Sequence, residues 1–149
     1  MPVLRCGTGG LAMATPTKTI RLRPKLRAEI ERIARRTRRS FSEVAQTVLE
    51  EAVRTQACPG ICFADEPAGR VAKVAGTGLG VWEVIRDYKS LRGNERKLKK
   101  WLPHISSAQL KAAVLYYAKF RQEIDAELAD NVAAHAEGQA MQEALARRA

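Results

Sequence analysis

No stretch of this 149-residue sequence stays apolar for the roughly 20 residues that a membrane-crossing helix needs. The opening residues, MPVLRCGTGGLAMATP, carry no sustained apolar run either; they do not read as a secretory signal, and Met13 is a second candidate start. Cysteine is scarce. Cys6, Cys58 and Cys62 form an odd set, which in an unexported chain points to reduced thiols and a cytoplasmic location. Cys58 and Cys62 lie four apart with no second ligand pair to complete a tetrahedral site, so no zinc is expected. The two histidines, His104 and His135, have no partners at a useful spacing, and no Ser–His–acid grouping stands out. The sequence therefore offers no catalytic residues, and neither enzymatic activity nor a cofactor is expected. Its length suits one ordinary domain or two small ones.

Positive charge is what the chain has in excess: 26 Lys and Arg against 16 Asp and Glu, a net charge of +10. The excess is uneven. Residues 1–57 hold 12 basic and 5 acidic side chains, whereas residues 58–149 hold 14 and 11. A basic N-terminal third is the electrostatic footprint of a polyanion binder, because each phosphate neutralised releases condensed counterions.

Within that third, TKTIRLRPKL alternates with period two. Ile20 and Leu22 share one face; Thr19, Arg21 and Arg23 share the other, as in a half-buried β-strand. Pro24 suits the first turn of a helix, in which Leu26, Ile30, Ile33 and Ala34 recur at helical spacing. RRTRRS then breaks the pattern. A second helix starts with Ser40 and Glu43 placed as a capping box and an apolar face of Phe41, Val44, Ala45, Val48, Leu49 and Ala52. One strand and two helices in about 40 residues cannot bury a core alone, and a lone strand leaves an open edge. A homodimer in which two strands pair as an antiparallel ribbon over four helices resolves both problems. Such a ribbon fits the major groove, where Thr19, Arg21 and Arg23 would face the bases and Arg21 would bond a guanine. The amides near Ser40 and Phe41, at the positive end of the second helix, would hold a phosphate.

The combination of TIRL, Pro24, the TRRS turn and the second-helix apolar set resembles the ribbon-helix-helix (Arc/MetJ/CopG-like) DNA-binding family over roughly residues 17–56. That family usually has Gly in the turn where this chain has Arg38.

Further on, RVAKVAGTGLGVWEVI places glycines between a candidate strand and a candidate helix. A dinucleotide loop needs G-x-G-x-x-G and an acid about 20 residues later. Gly76 and Gly78 fit, but the third place is Val81 and Gly80 falls one early. Downstream comes RKLKKWLPHI, a basic helical segment with no strand and no acid, and no Gly-Lys-Ser/Thr makes a P-loop. The stretch reads as a turn. GICF and RVAKVA, joined by ADEPAG, read as a small hairpin. Helices are predicted over Val81–Leu91, Glu95–Leu102 and, behind a Ser106/Gln109 capping box, Ser107–Phe120. Trp82 and Trp101 are assigned to apolar, core-facing positions.

This half resembles the small winged-helix-like domain-of-unknown-function family numbered 433. Gly69, VAGTGLGVWEVI and WLPHISSAQLKAAVLYY carry the match over about residues 60–125, with Gly78 and Leu102 standing where relatives have Arg and Tyr. Both modules together resemble VapB-type antitoxins. The resemblance implies a homodimer that binds operator DNA, represses its own operon and neutralises a PIN-like ribonuclease toxin.

RGNERKLKK at 92–100 is a second basic run, either a solvated face or a helix crossing a DNA backbone, with Gln109 and Lys111 then reaching bases. Residues 122–146 carry six acids and no Lys or Arg. Ile124, Leu128, Val132, Met141 and Leu145 form an incomplete apolar stripe there. Such a helix either folds back on its own basic domain or meets the toxin, with Arg147 and Arg148 reaching the nuclease's acidic metal site. The expected fold is mainly α: an extension over 1–16, a ribbon-helix-helix module over 17–57, a β-hairpin with three helices over 58–121, and an acidic helical tail over 122–149. The competing reading is a stand-alone transcriptional regulator with both domains on DNA.

Overall fold

The computed structural model describes residues 18–67 and 69–147. The expected extension over 1–16, Cys6 and the proposed start at Met13 lie outside the described residues. The described chain holds six helices and one two-stranded sheet, a mainly α architecture. No described helix is long and apolar enough to cross a membrane. The described chain divides into two compact units, parted between Val44 and Ala45.

In the first unit, residues 18–23 form no strand within the single chain. A strand exists by pairing, and one chain supplies no second edge. Arg23 is nevertheless extended (φ −63°, ψ 144°), and Pro24 at the first turn opens α1, Pro24–Thr37. The helix stops at Arg38, which takes the left-handed conformation (φ 54°, ψ 36°). The Arg39 amide donates to Ala34 O at 3.0 Å and the Arg38 amide to Arg35 O at 3.4 Å, the bond pair of a Schellman end. α2, Phe41–Ala57, follows at once. Its Ser40/Glu43 capping box is made as expected: the Ser40 amide donates to Glu43 Oε2 at 2.8 Å, and the Glu43 amide to Ser40 Oγ at 3.2 Å. Ile30, Ala34 and Val44 are the buried apolar side chains of this unit among the described residues.

The division falls inside α2 and not at the composition break after residue 57. The reason is that the second half of the helix is tied into the second unit. Arg54 pairs with Glu123 at 2.6 Å, Glu51 accepts from Arg70 at 2.6 and 2.8 Å, and Ala57 O accepts from Lys119 Nζ at 3.2 Å.

In the second unit, β1 (Ile61–Glu66) and β2 (Gly69–Val74) pair antiparallel, from Ile61 opposite Val74 to Glu66 opposite Gly69. The hairpin is longer than GICF predicts and its connection is only residues 67–68, so most of ADEPAG is strand. α3 (Val81–Ser90) buries Val81, Val84 and Ile85 completely. α4 (Glu95–Trp101) begins at Asn94, whose side chain accepts from the Lys97 amide, and buries Leu98. α5 (Ser107–Lys119) has the predicted Ser106/Gln109 capping box. α6 runs Arg121–Ala146. α3 and α5 pack together and against the hairpin, and α6 packs on both helices. The shared core includes Cys58, Ile61, Val74, Ile85, Leu98, Leu110, Tyr116 and Ile124. Burying each large aliphatic of this set contributes about 1.5–3 kcal/mol.

One prediction is corrected here. Trp101 is not core: it is 70% exposed, because α4 buries Leu98 and Trp101 leaves on the solvent side of its last turn.

Candidate functional site

The DNA-facing expectation rests on Thr19, Arg21 and Arg23, and all three are exposed. Ile20 is 60% exposed, and Leu22 is half-buried. A cleft of about 550 Å³ is lined by Ile20, Arg21, Leu22, Arg27, Glu31 and Phe41. Two α1 cations are spent in local ion pairs, Arg27 with Glu31 at 2.8 Å and Arg32 with Glu29 at 2.6 Å. Arg21, Arg23, Arg35, Arg36 and Arg38 have no acidic partner among the described residues. The positive charge of this unit is therefore mostly uncompensated within the unit itself.

At the start of α2 the picture differs from the expectation for Ser40 and Phe41. The Ser40 amide is already donated to the Glu43 carboxylate, whose pKa is held down first by the Ser40 hydroxyl and then by that amide. Phe41 is half-buried. A phosphate at this helix end would have to share the position with the Glu43 carboxylate.

The glycine stretch is a turn in which the Thr77, Leu79 and Gly80 amides are engaged. Gly76 (φ 78°) and Gly78 (φ 73°) sit where a side chain is strained. Between them, the Thr77 amide and hydroxyl donate to Val74 O at 3.2 and 2.9 Å, and the Leu79 amide donates to Thr77 Oγ1 at 3.1 Å. The Gly80 amide donates to the Glu83 carboxylate at 2.7 Å. An internal anion thus occupies the start of α3, where a nucleotide loop would receive its phosphate. Gln109, considered above as a base-reading side chain, is also committed. Its Oε1 caps α5 through the Ser106 amide, and its Nε2 donates to Ala75 O at 3.0 Å. Lys111 stays exposed.

A polar network that the sequence did not reveal joins α2, α5 and α6. Arg54 donates to Glu123 at 2.6 Å and to the Tyr116 hydroxyl at 3.0 Å, and that hydroxyl donates to Glu123 Oε1 at 2.8 Å. The Arg54 guanidinium lies 4.6 Å from the centre of the Phe120 ring. Burial first, and then the Glu123 carboxylate, push the Tyr116 hydroxyl well above the ordinary tyrosine range. Beside this network is a cavity of about 190 Å³, lined by Glu50, Glu51, Arg54, Arg70, Glu123 and Glu127 among others. Glu127 Oε2 is buried there without a hydrogen-bond partner. Desolvation, reinforced by Glu123 and Glu66, pushes its carboxyl up to about 7. Cys58 is buried in the core and Cys62 exposed on β1, both as free thiols.

The tail stripe divides into two parts. Ile124 is fully buried and Leu128 packs against the core, so these two are corrected from partner-facing to structural residues. They join the core because α6 folds back over α3 and α5. Val132 and Met141 remain 71% and 67% exposed. Arg147 pairs loosely with Glu143 at 3.4 Å, whereas the Leu145 side chain and Arg148 lie outside the described residues. Comparison of the chain with protein-family models, with curated proteins and with solved structures gave no match.

Proposed function

We propose that this protein is a dimeric, DNA-binding antitoxin. In this reading residues 18–23 of two copies pair as an antiparallel ribbon, Thr19, Arg21 and Arg23 enter the major groove, and the distal half of α6 engages a PIN-like ribonuclease. The observation that carries the reading is how little the N-terminal unit buries for itself. Ile30, Ala34 and Val44 are its buried apolar side chains among the described residues, while Ile20 and Leu26 are left exposed, as are Val48, Leu49 and Val53 where α2 continues beyond the unit. An extended segment with an open edge and an uncovered isoleucine is what a second copy would complete. The uncompensated arginines then lie on a surface suited to phosphate and guanine. The antitoxin role comes from the resemblance to the VapB-type family, supported by the exposed, acid-bearing end of α6.

Light scattering and binding to DNA from upstream of the gene test the first half. The protein is expected to elute as a dimer, and Arg21→Ala to weaken operator binding by about 1–3 kcal/mol and blur its sequence preference. A monomer, or unchanged binding by that variant, would overturn the ribbon assignment. Co-expression with the product of the adjacent reading frame, followed by pull-down, tests the second half. Failure to co-purify any neighbouring nuclease would leave a DNA-binding regulator without an antitoxin role.

A further inference from the structure

Five cations of the second unit outside α4 are neutralised by acids from neighbouring positions or elements. Arg54 pairs with Glu123, Arg70 with Glu51 and Asp65, Lys73 with Glu66, Arg86 with Asp87, and Lys89 with Asp125. Unpaired cations are densest in and just before α4. Arg92, Arg96, Lys97 and Lys100 are exposed and have no acidic partner among the described residues; Lys99 donates only to Ser107 Oγ, at 2.8 Å. Glu95 is the one acid between residues 92 and 101.

The helix ends on Trp101, 70% exposed. Lys97 precedes it by four residues, so ammonium and indole share a face. The contrast with Trp82 is informative: that ring is half-buried and has the Arg86 guanidinium 5.6 Å from its centre. Trp101 has no such cover among the described residues.

We propose that α4 is a second nucleic-acid surface, specific for single strands, in which an unpaired base stacks on Trp101 while Lys97, Lys100 and Arg96 neutralise the flanking phosphates. An indole offers a flat face, which a base can meet only where it is not already stacked in a duplex. A membrane surface fits less well. α4 buries its only other apolar side chain, Leu98, and a lone indole gives no apolar face to sink into lipid. The surface does not depend on the N-terminal ribbon.

The test uses the full-length protein at low salt. Tryptophan emission is followed during titration with a dodecamer of deoxythymidylate, a dodecamer of uridylate and a 12-base-pair duplex, and affinity is read from the anisotropy of labelled dodecamers. Saturable quenching is expected with one or both single strands and not with the duplex, and the two strands distinguish a DNA from an RNA ligand. Trp101→Phe abolishes the quenching, Trp101→Ala weakens single-strand affinity about tenfold, and Lys97→Glu with Lys100→Glu weakens it at least as much. Because Trp101 is exposed, these variants fold as the parent does, which circular dichroism checks. Equal quenching by the duplex, no quenching at all, or unchanged affinity in the Trp101 and lysine variants would each overturn the proposal. Capture of an acidic protein by α4 with no oligonucleotide binding would do so as well.

Discussion

Glu127 sets up a measurable conflict between pH and stability. Its Oε2 atom is buried without a hydrogen-bond partner beside Glu123 and Glu66. The two arginines that line the same cavity are already engaged, Arg54 by Glu123 and Tyr116, and Arg70 by Glu51 and Asp65. Neither neutralises Glu127, and its carboxyl is lifted from 4.5 to about 7. The sign follows from linkage. Below about pH 4.5 the folded and unfolded chains both hold the proton and no cost arises. Between about 4.5 and 7 the unfolded chain ionises while the folded one keeps its proton, so stability falls with rising pH, and above 7 the loss is complete. A fully sequestered group would cost about 3 kcal/mol. Glu127 is only half-buried, and solvent screening reduces this to about 1–2 kcal/mol. Glu127→Gln removes the charge and keeps the shape. Urea denaturation followed by tryptophan emission should find the variant more stable by about 1–2 kcal/mol at pH 8 and level with the parent near pH 4.5. A stability difference that does not change between the two pH values would refute the reasoning, as would a Gln variant less stable at pH 8.

Two further outcomes test other parts of the fold. Tyr116→Phe keeps the ring in the core but removes the hydroxyl shared by Arg54 and Glu123; a loss of about 1–2 kcal/mol in thermal unfolding is expected, and an unchanged melting temperature would show that the Arg54–Glu123 pair suffices. Arg38→Gly relieves a left-handed residue at the end of α1 and should stabilise by about 0.5–1 kcal/mol, measured by the same melt; a destabilised variant would mean the arginine side chain holds the turn.

Elements marked by short-range chemistry were legible in the sequence. Pro24 opens α1, Ser40 with Glu43 and Ser106 with Gln109 start their helices, and Gly76 and Gly78 mark a turn, each signal lying within a few residues of the feature it sets. What the sequence hid depends on distant pairing. Arg54 meets Glu123 across 69 positions, and no periodicity announces that. Trp101 reads as core from its place on an apolar helix face, but α4 buries Leu98 and leaves Trp101 outside. Ile124 and Val132 belong to one apolar stripe on paper. Only the fold separates them, because α6 meets the domain along its first turns and then leaves it.

That departure has an energetic consequence. Starting a helix from coil is the unfavourable step; extending one already begun is close to neutral for each residue. In α6 the first turns are fixed by Ile124 in the core and by Glu123 on Arg54, so residues 131–143 extend a helix whose nucleus is permanently supplied. Gly138 then acts as a weak link, about 1 kcal/mol poorer than alanine, from which the exposed end unwinds and rewinds. Amide exchange should therefore be graded along a single helix, slow near Ile124 and fast beyond Gly138. A ligand that grips the outer turns meets a segment already most of the way to its final shape.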